Sequence, residues 1–242
     1  SLGCLYKNKQ VGTFGEVGTF SSFFSHHITT MEGGMVCTNN QDLESQIRIM
    51  RAHGWSRALQ SGGLEVFCNK RNIDLSQYDS IDARYLFVDE GYNLRPTEIN
   101  ASFGIYQIQK INQFNSHRKF LADKFYKNIS NLNYLRGPKL EKYCEPCFMS
   151  LPIKIINSKY TNAKAIKYLE ERGVESRPLI AGNIKKHPVS KMFNFASTHE
   201  NLEGANYHHE NSFYVGLSPE HKSEDIDRLY LVMKDLDKVL DS

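Results

Sequence analysis

The apolar positions near the start of the chain are spaced as in two short strands joined by a polar loop. Residues 12–24 are mostly Gly, Thr, Val, Phe and Ser, a composition typical of a short buried strand that runs into a loop. Gly33-Gly34 permits a tight turn, and the sequence MVCT at residues 35–38 predicts a second strand. The first forty residues therefore favour strand structure around a loop.

A helical period follows the second predicted strand. Leu43, Ile47 and Met50 lie three or four residues apart, which predicts an amphipathic helix. Asn40 is the expected N-cap because its side chain can accept a hydrogen bond from a free backbone N–H of the first turn. Two acidic residues in that turn agree with this assignment, and the helix is expected to end near Gly54.

The middle of the chain is predicted to hold two helices in succession. Residues 60–80 are polar and irregular, so they are expected to form a loop. Thr97 is the expected N-cap of a long helix through residues 101–114, whose apolar residues cover a wide arc. Such an arc indicates burial on most sides or a subunit contact. A separate helix is predicted from residue 116 to residue 129.

A change of composition predicts a domain boundary after these helices. Residues 135–147, LRGPKLEKYCEPC, carry two prolines and read as a linker. We therefore assign residues 1–135 to one α/β domain and residues 136–242 to a smaller α+β domain. The smaller domain is predicted to contain strands at residues 148–156, 174–179 and 213–217, and helices at residues 163–172 (stopped by Gly173), 200–211 and 223–240 (capped by Ser223).

The composition argues against several classes of partner. The formal net charge is only +3, and Lys and Arg are spread along the chain, so a nucleic-acid partner is not expected. No stretch approaches the roughly 18 apolar residues of a membrane span, and no secretory signal pattern is found. A cytoplasmic location is therefore expected. The start, SLGC, lacks an initiator Met and reads as the middle of a domain, so the first domain is expected to be incomplete at its N-terminus.

The five cysteines do not form the pattern of a disulfide framework in a chain of this length. Cys144 and Cys147 are the one closely spaced pair, and a second pair at zinc-site spacing is missing. Structural thiols are the favoured interpretation, with zinc binding or redox chemistry as the alternative. No metal site is expected.

The segment FSSFFSHHITTMEGG, residues 20–34, is the main candidate for chemistry. Its paired histidines, His26 and His27, follow a predicted strand, where loops of α/β proteins often build sites. Ser21 and Ser22 lie just upstream and can donate hydrogen bonds to an anion such as a phosphate, and the Glu-Gly-Gly turn that ends the segment lets the backbone approach closely. The residues alone leave two readings open, because a histidine in a loop is also often a solvated side chain.

Four ordered motifs together resemble a known family. They are GTFGEVGTFSSFFSHHITTMEGGMVCTNN, RAHGWSR, GYNLRPTEINASFGIYQIQK and GVESRPLIAGN, and they extend over nearly the whole chain. The sequence resembles the DegT/DnrJ/EryC1/StrS nucleotide-sugar aminotransferases, which are pyridoxal-phosphate enzymes. The resemblance implies the aspartate-aminotransferase fold (type I), an α/β fold with a large cofactor-binding domain and a smaller α+β domain.

The chain departs from the family at one decisive position. In that family the cofactor-binding lysine stands eight residues before the second glycine of the Glu-Gly-Gly turn, and this count from Gly34 leads to His26. Imidazole has no primary amine and cannot form the covalent link that lysine forms with pyridoxal phosphate. The resemblance therefore implies that pyridoxamine or pyridoxal phosphate is held non-covalently. It also implies that His26 is the catalytic residue, since histidine can remove and return a proton near neutral pH.

A histidine at this position, followed by HIT-x-MEGG, resembles the 3-dehydratase branch of the family. The implied reaction is removal of the C3 hydroxyl of a nucleotide-linked 4-keto-6-deoxyhexose, with GDP-4-keto-6-deoxymannose as the expected substrate. Glutamate is the expected amino donor that restores the cofactor's amine. The expected role is biosynthesis of a dideoxysugar such as colitose for the O antigen of lipopolysaccharide.

The resemblance also implies binding roles for residues within these motifs. By resemblance, Ser21 binds the cofactor phosphate, and Asn93 reaches the phosphate of the partner subunit's cofactor, so a homodimer with shared active sites is expected. Arg57, Glu175 and Arg177 match positions that line the nucleotide-sugar pocket. A guanidinium suits a diphosphate because its planar fork of donors binds oxygens in pairs.

Three alternatives stay open beside this reading. A CDP-4-keto-6-deoxyglucose 3-dehydratase also has the histidine but holds a [2Fe–2S] cluster, and this chain lacks the Cys-x-Cys pair of that cluster, so no iron–sulfur cluster is expected. A sugar aminotransferase needs the lysine, and no Lys occurs between Gln10 and Lys70. A non-catalytic homologue or fragment is the third. For His53 and Trp55, packing is favoured over a substrate-loop role.

Overall fold

The computed structural model describes residues 2–59, 62–194 and 202–241. They form two compact units, Ser1–Ile111 and Asn112–Ser242. The boundary between these units lies between residues 111 and 112, earlier in the chain than the predicted domain boundary between residues 135 and 136. That domain boundary stays a prediction. No helix among the described residues is both long and apolar enough to cross a membrane.

The first unit begins with two antiparallel strand pairs. Strands β1 (Leu5–Tyr6) and β2 (Lys9–Gln10) form the first pair. Strands β3 (Val17–Ser21) and β4 (Gly34–Thr38) form the second, in a register that sets Ser21 opposite Gly34. Both strands of this second hairpin were predicted from the sequence, and the prediction is confirmed.

The residues that follow this hairpin in the chain form a small hydrophobic core. Helix α1 (Gln41–Met50) is capped as predicted, because the Asn40 side chain accepts hydrogen bonds from the backbone N–H groups of its first turn. Ile49 on α1 is fully buried against Phe67 and Cys68. The prediction of a loop over residues 60–80 is wrong, because helix α2 (Gly63–Lys70) supplies those two residues to the core.

The remaining regular elements of the first unit are short turns and one long helix. Short 3₁₀ turns occur at Ser56–Ala58, Leu75–Tyr78 and Ala83–Tyr85. Helix α3 runs without a break over the 32 residues Glu98–Ile129, so the prediction of two separate helices is wrong. Thr97 caps it as predicted, since its hydroxyl oxygen accepts from the backbone N–H of Asn100 at 3.3 Å.

The second unit is built on a four-stranded antiparallel sheet. Its order is β5-β7-β9-β8, with β5 at Leu135–Arg136, β7 at Ser150–Ile155, β8 at Ser176–Pro178 and β9 at Ser212–Gly216. The short strand β6 (Cys144–Glu145) lies outside this sheet. Alternate residues of β7, namely Leu151, Ile153 and Ile155, are buried, as the period of a strand with one covered face requires. The three predicted strands are confirmed.

Helices cover the buried face of the sheet. They are α4 (Asn162–Glu170), α5 (Glu203–Asn211), α6 (Ser223–Val239) and the C-terminal half of α3, which contributes Leu121, Phe125 and Ile129 to the core. The three predicted helices are confirmed, although residues 200 and 201 of the fifth lie outside the described residues. Gly173 follows α4 with a φ of +74°, as a C-terminal stop does.

The predicted cap of the last helix is wrong by one residue. Ser223 is the first residue of α6 rather than its N-cap, which is Lys222. The carboxylate of Asp225 accepts a hydrogen bond from the Lys222 backbone N–H at 2.8 Å. This acidic side chain in the first turn stabilises the start of the helix.

The side chains of Asp237 and Tyr126 make hydrogen bonds to the backbone of the second unit. The buried carboxylate of Asp237 accepts hydrogen bonds from the backbone N–H groups of Asn133 at 2.8 Å and Tyr134 at 2.7 Å. The phenol of Tyr126 donates to the carbonyl of Pro152 at 3.3 Å, and burial raises the Tyr126 pKa far above its usual value. Asp237 thereby holds the turn that leads from α3 into β5.

Candidate active site

The loop that joins β3 to β4 is closed at its base by hydrogen bonds. The Ser22 N–H donates to the carbonyl of Gly33 at 3.0 Å, and the Thr30 N–H donates to the carbonyl of Ser22 at 2.9 Å. The hydroxyls of Ser22 and Thr30 also lie 2.7 Å apart, and Ser22 is buried. These bonds tie the two ends of the segment that carries the paired histidines.

Gly33 and Gly34 are required by this close packing. A Cβ on Gly33 would lie 2.7 Å from Thr30 Oγ1 and 2.9 Å from Ser22 Oγ, and the φ of Gly33 is +150°. A Cβ on Gly34 would lie 2.9 Å from the carbonyl oxygen of Phe20. No other residue has the space or the backbone freedom for these two positions. The sequence prediction of close backbone approach at the Glu-Gly-Gly turn is confirmed.

His26 lies on a tight turn inside the closed loop. Its backbone N–H donates to the carbonyl of Phe23 at 3.0 Å, and its ring meets the Phe23 ring edge-on with centroids 5.9 Å apart. The side chain is half-buried, and its Nδ1 is shielded from solvent without a hydrogen-bond partner among the described residues. The ring is therefore held by packing, and Nε2 is the nitrogen that can face a ligand.

His27 has a different environment from its neighbour. It is only 5% exposed and is followed by the equally buried Ile28. A side chain enclosed in this way packs within the unit. The structure thus separates the pair, with His26 on the turn and His27 in the interior.

Ser21 lies at the end of β3, where the loop begins. Its Oγ accepts a hydrogen bond from the Phe23 N–H at 3.2 Å, which leaves the hydroxyl proton free to donate, and the residue is exposed. Ser21 and His26 therefore lie on successive turns of one loop, both anchored to Phe23. A hydroxyl donor and an imidazole, with no lysine in this segment, fit a phosphate-bearing cofactor that is bound without a covalent link.

The N-terminal half of α3 supports this loop through two residues that the sequence motifs did not single out. Asn100 Nδ2 donates to the carbonyl of Thr30 at 2.8 Å. The Thr29 N–H donates to Gln107 Oε1 at 3.4 Å. Both contacts span 70 or more residues of sequence, so the only sequence signal for them is the pair of amide side chains within the third motif.

Arg57 and Asn93 lie on two segments of the first unit that cross each other. The segment after α1 pairs with the segment before α3 through antiparallel bridges that join Ala52 to Asn93 and Trp55 to Phe87. Asn93 is exposed on this crossing. Arg57 is exposed as well, and its Cζ lies 3.9 Å from the centre of the Trp55 ring.

Glu175 and Arg177 lie in the second unit, next to each other at the start of β8. Arg177 Nη2 donates to Glu175 Oε1 in an exposed ion pair, and this hydrogen bond raises the pKa of the Arg177 guanidinium. An exposed pair contributes little to stability because solvent screens it. Its guanidinium can instead donate hydrogen bonds to a polar ligand, and its carboxylate can accept them.

The cysteines that raised the question of a metal lie in the second unit. Cys144 is half-buried and Cys147 is buried. Across residues 2–59, 62–194 and 202–241, no three His, Cys, Asp or Glu side chains are grouped so that they could hold a metal ion. The prediction of structural thiols is compatible with this arrangement.

This chain is similar to proteins named for enzymes that act on nucleotide sugars. GDP-4-keto-6-deoxy-D-mannose 3-dehydratase of Escherichia coli O55:H7 is 33% identical over 235 residues, which are 97% of this chain and 58% of that protein. The structure of E. coli GDP-4-keto-6-deoxy-D-mannose-3-dehydratase with bound hydrated PLP is similar with a TM-score of 0.83 at 32% identity, over 96% of this chain and 58% of that one.

A further structure is similar over the same part of the chain. It is a histidine-to-asparagine mutant of GDP-4-keto-6-deoxymannose-3-dehydratase with bound GDP-perosamine, with a TM-score of 0.84 at 32% identity over 97% of this chain and 58% of that one. The chain thus spans somewhat more than half the length of these relatives.

Residues 1–234 match the DegT/DnrJ/EryC1/StrS aminotransferase family. The fold is that of the type I pyridoxal-phosphate enzymes. The chain belongs to the DegT/DnrJ/EryC1/StrS aminotransferase family.

Proposed function

We propose that this chain forms part of an enzyme that removes the C3 hydroxyl of a nucleotide-linked 4-keto-6-deoxyhexose with pyridoxamine phosphate as cofactor. The observation that carries the proposal is His26, which stands on the closed loop where the family has its lysine. GDP-4-keto-6-deoxymannose is the proposed substrate, because the relative from E. coli named for that substrate is similar over 97% of this chain.

The proposed cofactor and His26 have separate tasks. The bound cofactor supplies a primary amine for the C4 ketone of the sugar and a ring that accepts electrons. His26 Nε2 takes up a proton and returns it to the oxygen of the departing C3 hydroxyl, so that water leaves in place of hydroxide. The ring can do this reproducibly because the Phe23 carbonyl holds the His26 backbone N–H and the Phe23 ring packs edge-on against the imidazole.

The remaining predicted residues bind rather than react. Ser21 donates its free hydroxyl proton to the cofactor phosphate. Asn93 is exposed on the crossing of the first unit, in a position to contact a second subunit, as expected for a homodimer with shared active sites. Arg57 and the exposed pair Glu175 and Arg177 contact the nucleotide sugar.

The proposed reaction indicates the product, the amino donor and the cellular location of the enzyme. Loss of a second ring hydroxyl gives a dideoxysugar, the class to which colitose of O antigens belongs, and glutamate renews the amine of the cofactor. A cytoplasmic location is proposed because the proposed substrate is a nucleotide-linked sugar.

The proposal is tested by ammonia release. The full-length protein that carries this chain is incubated with pyridoxamine phosphate, glutamate and GDP-4-keto-6-deoxymannose, and ammonia and 3-deoxy product are measured. His26→Asn should reduce both by about 100-fold or more, the usual contribution of a general acid–base group. His208→Asn is the matched control, because His208 is exposed on α5 in the other unit and should retain full activity.

Two results would contradict the proposal. Equal ammonia release from the parent and His26→Asn would show that His26 does not carry the proton. An amino sugar without ammonia, together with a cofactor band that borohydride fixes to the chain, would show an aminotransferase that uses a lysine elsewhere.

A further inference from the structure

Every polar group of Thr30, in the loop between β3 and β4, makes a hydrogen bond. Its N–H donates to the carbonyl of Ser22 at 2.9 Å, and its hydroxyl lies 2.7 Å from the Ser22 hydroxyl. Its carbonyl oxygen accepts from the Glu32 N–H at 3.0 Å and from Asn100 Nδ2 at 2.8 Å. Thr30 is therefore the residue at which the closed base of the loop meets helix α3.

Helix α3 lies close against this part of the loop. A Cβ on Gly104 would lie 3.2 Å from Thr30 Cγ2, which is tighter than ordinary van der Waals contact. The N–H of Thr29 donates to Gln107 Oε1 at 3.4 Å. Asn100, Gly104 and Gln107 follow each other at intervals of four and three residues, so they share one face of the helix. That face contacts the loop at two successive residues.

The residue that follows these contacts has a strained backbone. Met31 has a φ of +68°, in the left-handed region that residues other than glycine rarely adopt. Its N–H donates to Thr29 Oγ1 at 2.9 Å, which helps to hold the bend. Such a conformation persists only where the surrounding structure determines it. The contacts of α3 with Thr29 and Thr30 supply part of that determination.

His26 depends on the loop backbone for its position. Its Nδ1 has no hydrogen-bond partner among the described residues, and its ring contact is with Phe23 of the same loop. The imidazole therefore moves with the loop. His27 and Ile28, which connect His26 to the contacted residues, are both buried and closely packed. A shift at Thr30 is thus transmitted along four residues to His26.

The amide of Asn100 is itself oriented by the first turn of α3. The hydroxyl of Thr97 donates to Asn100 Oδ1, and Thr97 Oγ1 accepts from the Asn100 backbone N–H at 3.3 Å. Because Oδ1 is held by this hydroxyl, Nδ2 is the group directed at the Thr30 carbonyl. Asn100 therefore joins the start of the helix to the loop through one side chain.

We propose that Asn100 is a positioning residue for His26, an inference that rests on the proposed function. Its amide fixes the Thr30 carbonyl, and Gln107 fixes the adjacent peptide, so α3 sets where the imidazole lies relative to the reacting atoms. Asn100 acts through the loop and contacts neither the sugar nor the cofactor. It therefore contributes to the rate of the proton transfers and not to the binding of the sugar nucleotide.

Asn100→Asp in the full-length protein tests this role. The variant has the same size and keeps an oxygen for the Thr97 hydroxyl, but it has no N–H for the Thr30 carbonyl. A carboxylate in the first turn also suits the helix dipole, so α3 is not weakened. The kcat for ammonia release should fall by about tenfold or more, while KM for GDP-4-keto-6-deoxymannose stays within about twofold.

Hydrogen exchange gives a second measurement that needs no cofactor and no turnover. In Asn100→Asp, peptides from residues 22–33 should exchange about fivefold faster or more, the factor expected for one lost hydrogen bond. Peptides of the second unit should exchange as in the parent. Asn112→Asp is the matched control, because it makes the same change at an exposed position of the same helix. It should keep the parent kcat, KM and exchange rates.

Gln107→Met is a second variant, which decides the question if Asn100→Asp does not fold. It removes the acceptor of the Thr29 N–H with a side chain of similar length. The bond that it removes is longer, at 3.4 Å against 2.8 Å, so kcat and loop exchange should change in the same directions by a smaller factor.

The inference is overturned if the kcat or the loop exchange of Asn100→Asp equals that of Asn112→Asp. It is also overturned if KM rises as strongly as kcat falls, or if exchange rises equally in the second unit, which would show a general loss of structure. A parent protein that releases no ammonia, but whose loop responds to Asn100→Asp, would refute the proposed reaction and keep the link from α3 to the loop. Ammonia release that depends on His26 but not on Asn100 would refute the inference and keep the reaction.

Discussion

Gly33→Ala is expected to disrupt the hydrogen bonds that close the active-site loop. The new Cβ would lie 2.7 Å from Thr30 Oγ1 and 2.9 Å from Ser22 Oγ, the two hydroxyls that are hydrogen-bonded across the base of the loop. Separating them costs about 1 kcal/mol for the lost hydrogen bond. A φ of +150° with a Cβ adds about 1–3 kcal/mol of backbone strain. The free energy of unfolding should therefore fall by about 2–4 kcal/mol.

The effect on activity should be comparable in free energy to the effect on stability. His26 lies within the loop that Ser22 and Thr30 close, so moving these residues apart shifts its imidazole. A displacement of about 1 Å at a catalytic group lowers the rate by about 100-fold. Urea unfolding measures the stability, and ammonia release measures the rate on the protein that is still folded.

Gly204→Ala is the control for the added methyl group. A Cβ at Gly204 has no neighbour within 4 Å, and this residue lies in helix α5, where alanine is favoured over glycine by about 1 kcal/mol. It should stabilise the protein slightly without changing the rate. If Gly33→Ala stayed within about 0.5 kcal/mol of the parent and kept its activity, the loop closure described here would be wrong, because surface substitutions fall in that range.

Two further predictions concern the second unit. Asp237→Ala should lower the free energy of unfolding by about 2–4 kcal/mol, because it removes the buried carboxylate that accepts hydrogen bonds from the backbone N–H groups of Asn133 and Tyr134; a loss under about 1 kcal/mol in urea unfolding would contradict this. Burial raises the pKa of Tyr126, so above about pH 10 the unfolded chain loses a phenol proton that the folded chain keeps, and stability should fall as the pH rises. Tyr126→Phe should flatten that fall in urea unfolding between about pH 9 and pH 11, and identical slopes for parent and variant would refute the assignment.

Local signals in the sequence predicted the elements that local interactions determine. Asn40 caps α1 through bonds to residues two and three positions ahead, which can be read directly from the sequence. Helix α2 was missed because it is short and begins next to two glycines, and it is stabilised by the contact of Phe67 with Ile49 of another helix. The break expected in α3 near residue 115 is absent, since burial of Leu121 and Phe125 outweighs the weak helix preference of Asn115 and Ser116.

The candidate site, too, could be predicted from the sequence only where local signals determine it. The count from Gly34 led to His26, and the tight turn at Gly33 was expected from the glycine pair itself. The anchoring of the loop by Asn100 and Gln107 depends on contacts across 70 or more residues. No local period records such contacts, because they arise only when the chain has folded.

The unbroken course of α3 has a consequence for the order in which this chain folds. A helix of 32 residues is about 48 Å long, and only its C-terminal half is anchored in a core, through residues such as Leu121 and Phe125. Ile99, Ile105 and Tyr106 in the other half are largely exposed. The costly first turn can therefore form where the core stabilises it, and the N-terminal half needs only the cheaper step of propagation. Asn100 and Gln107 would then contact the loop between β3 and β4 only after α3 has formed from its C-terminal half.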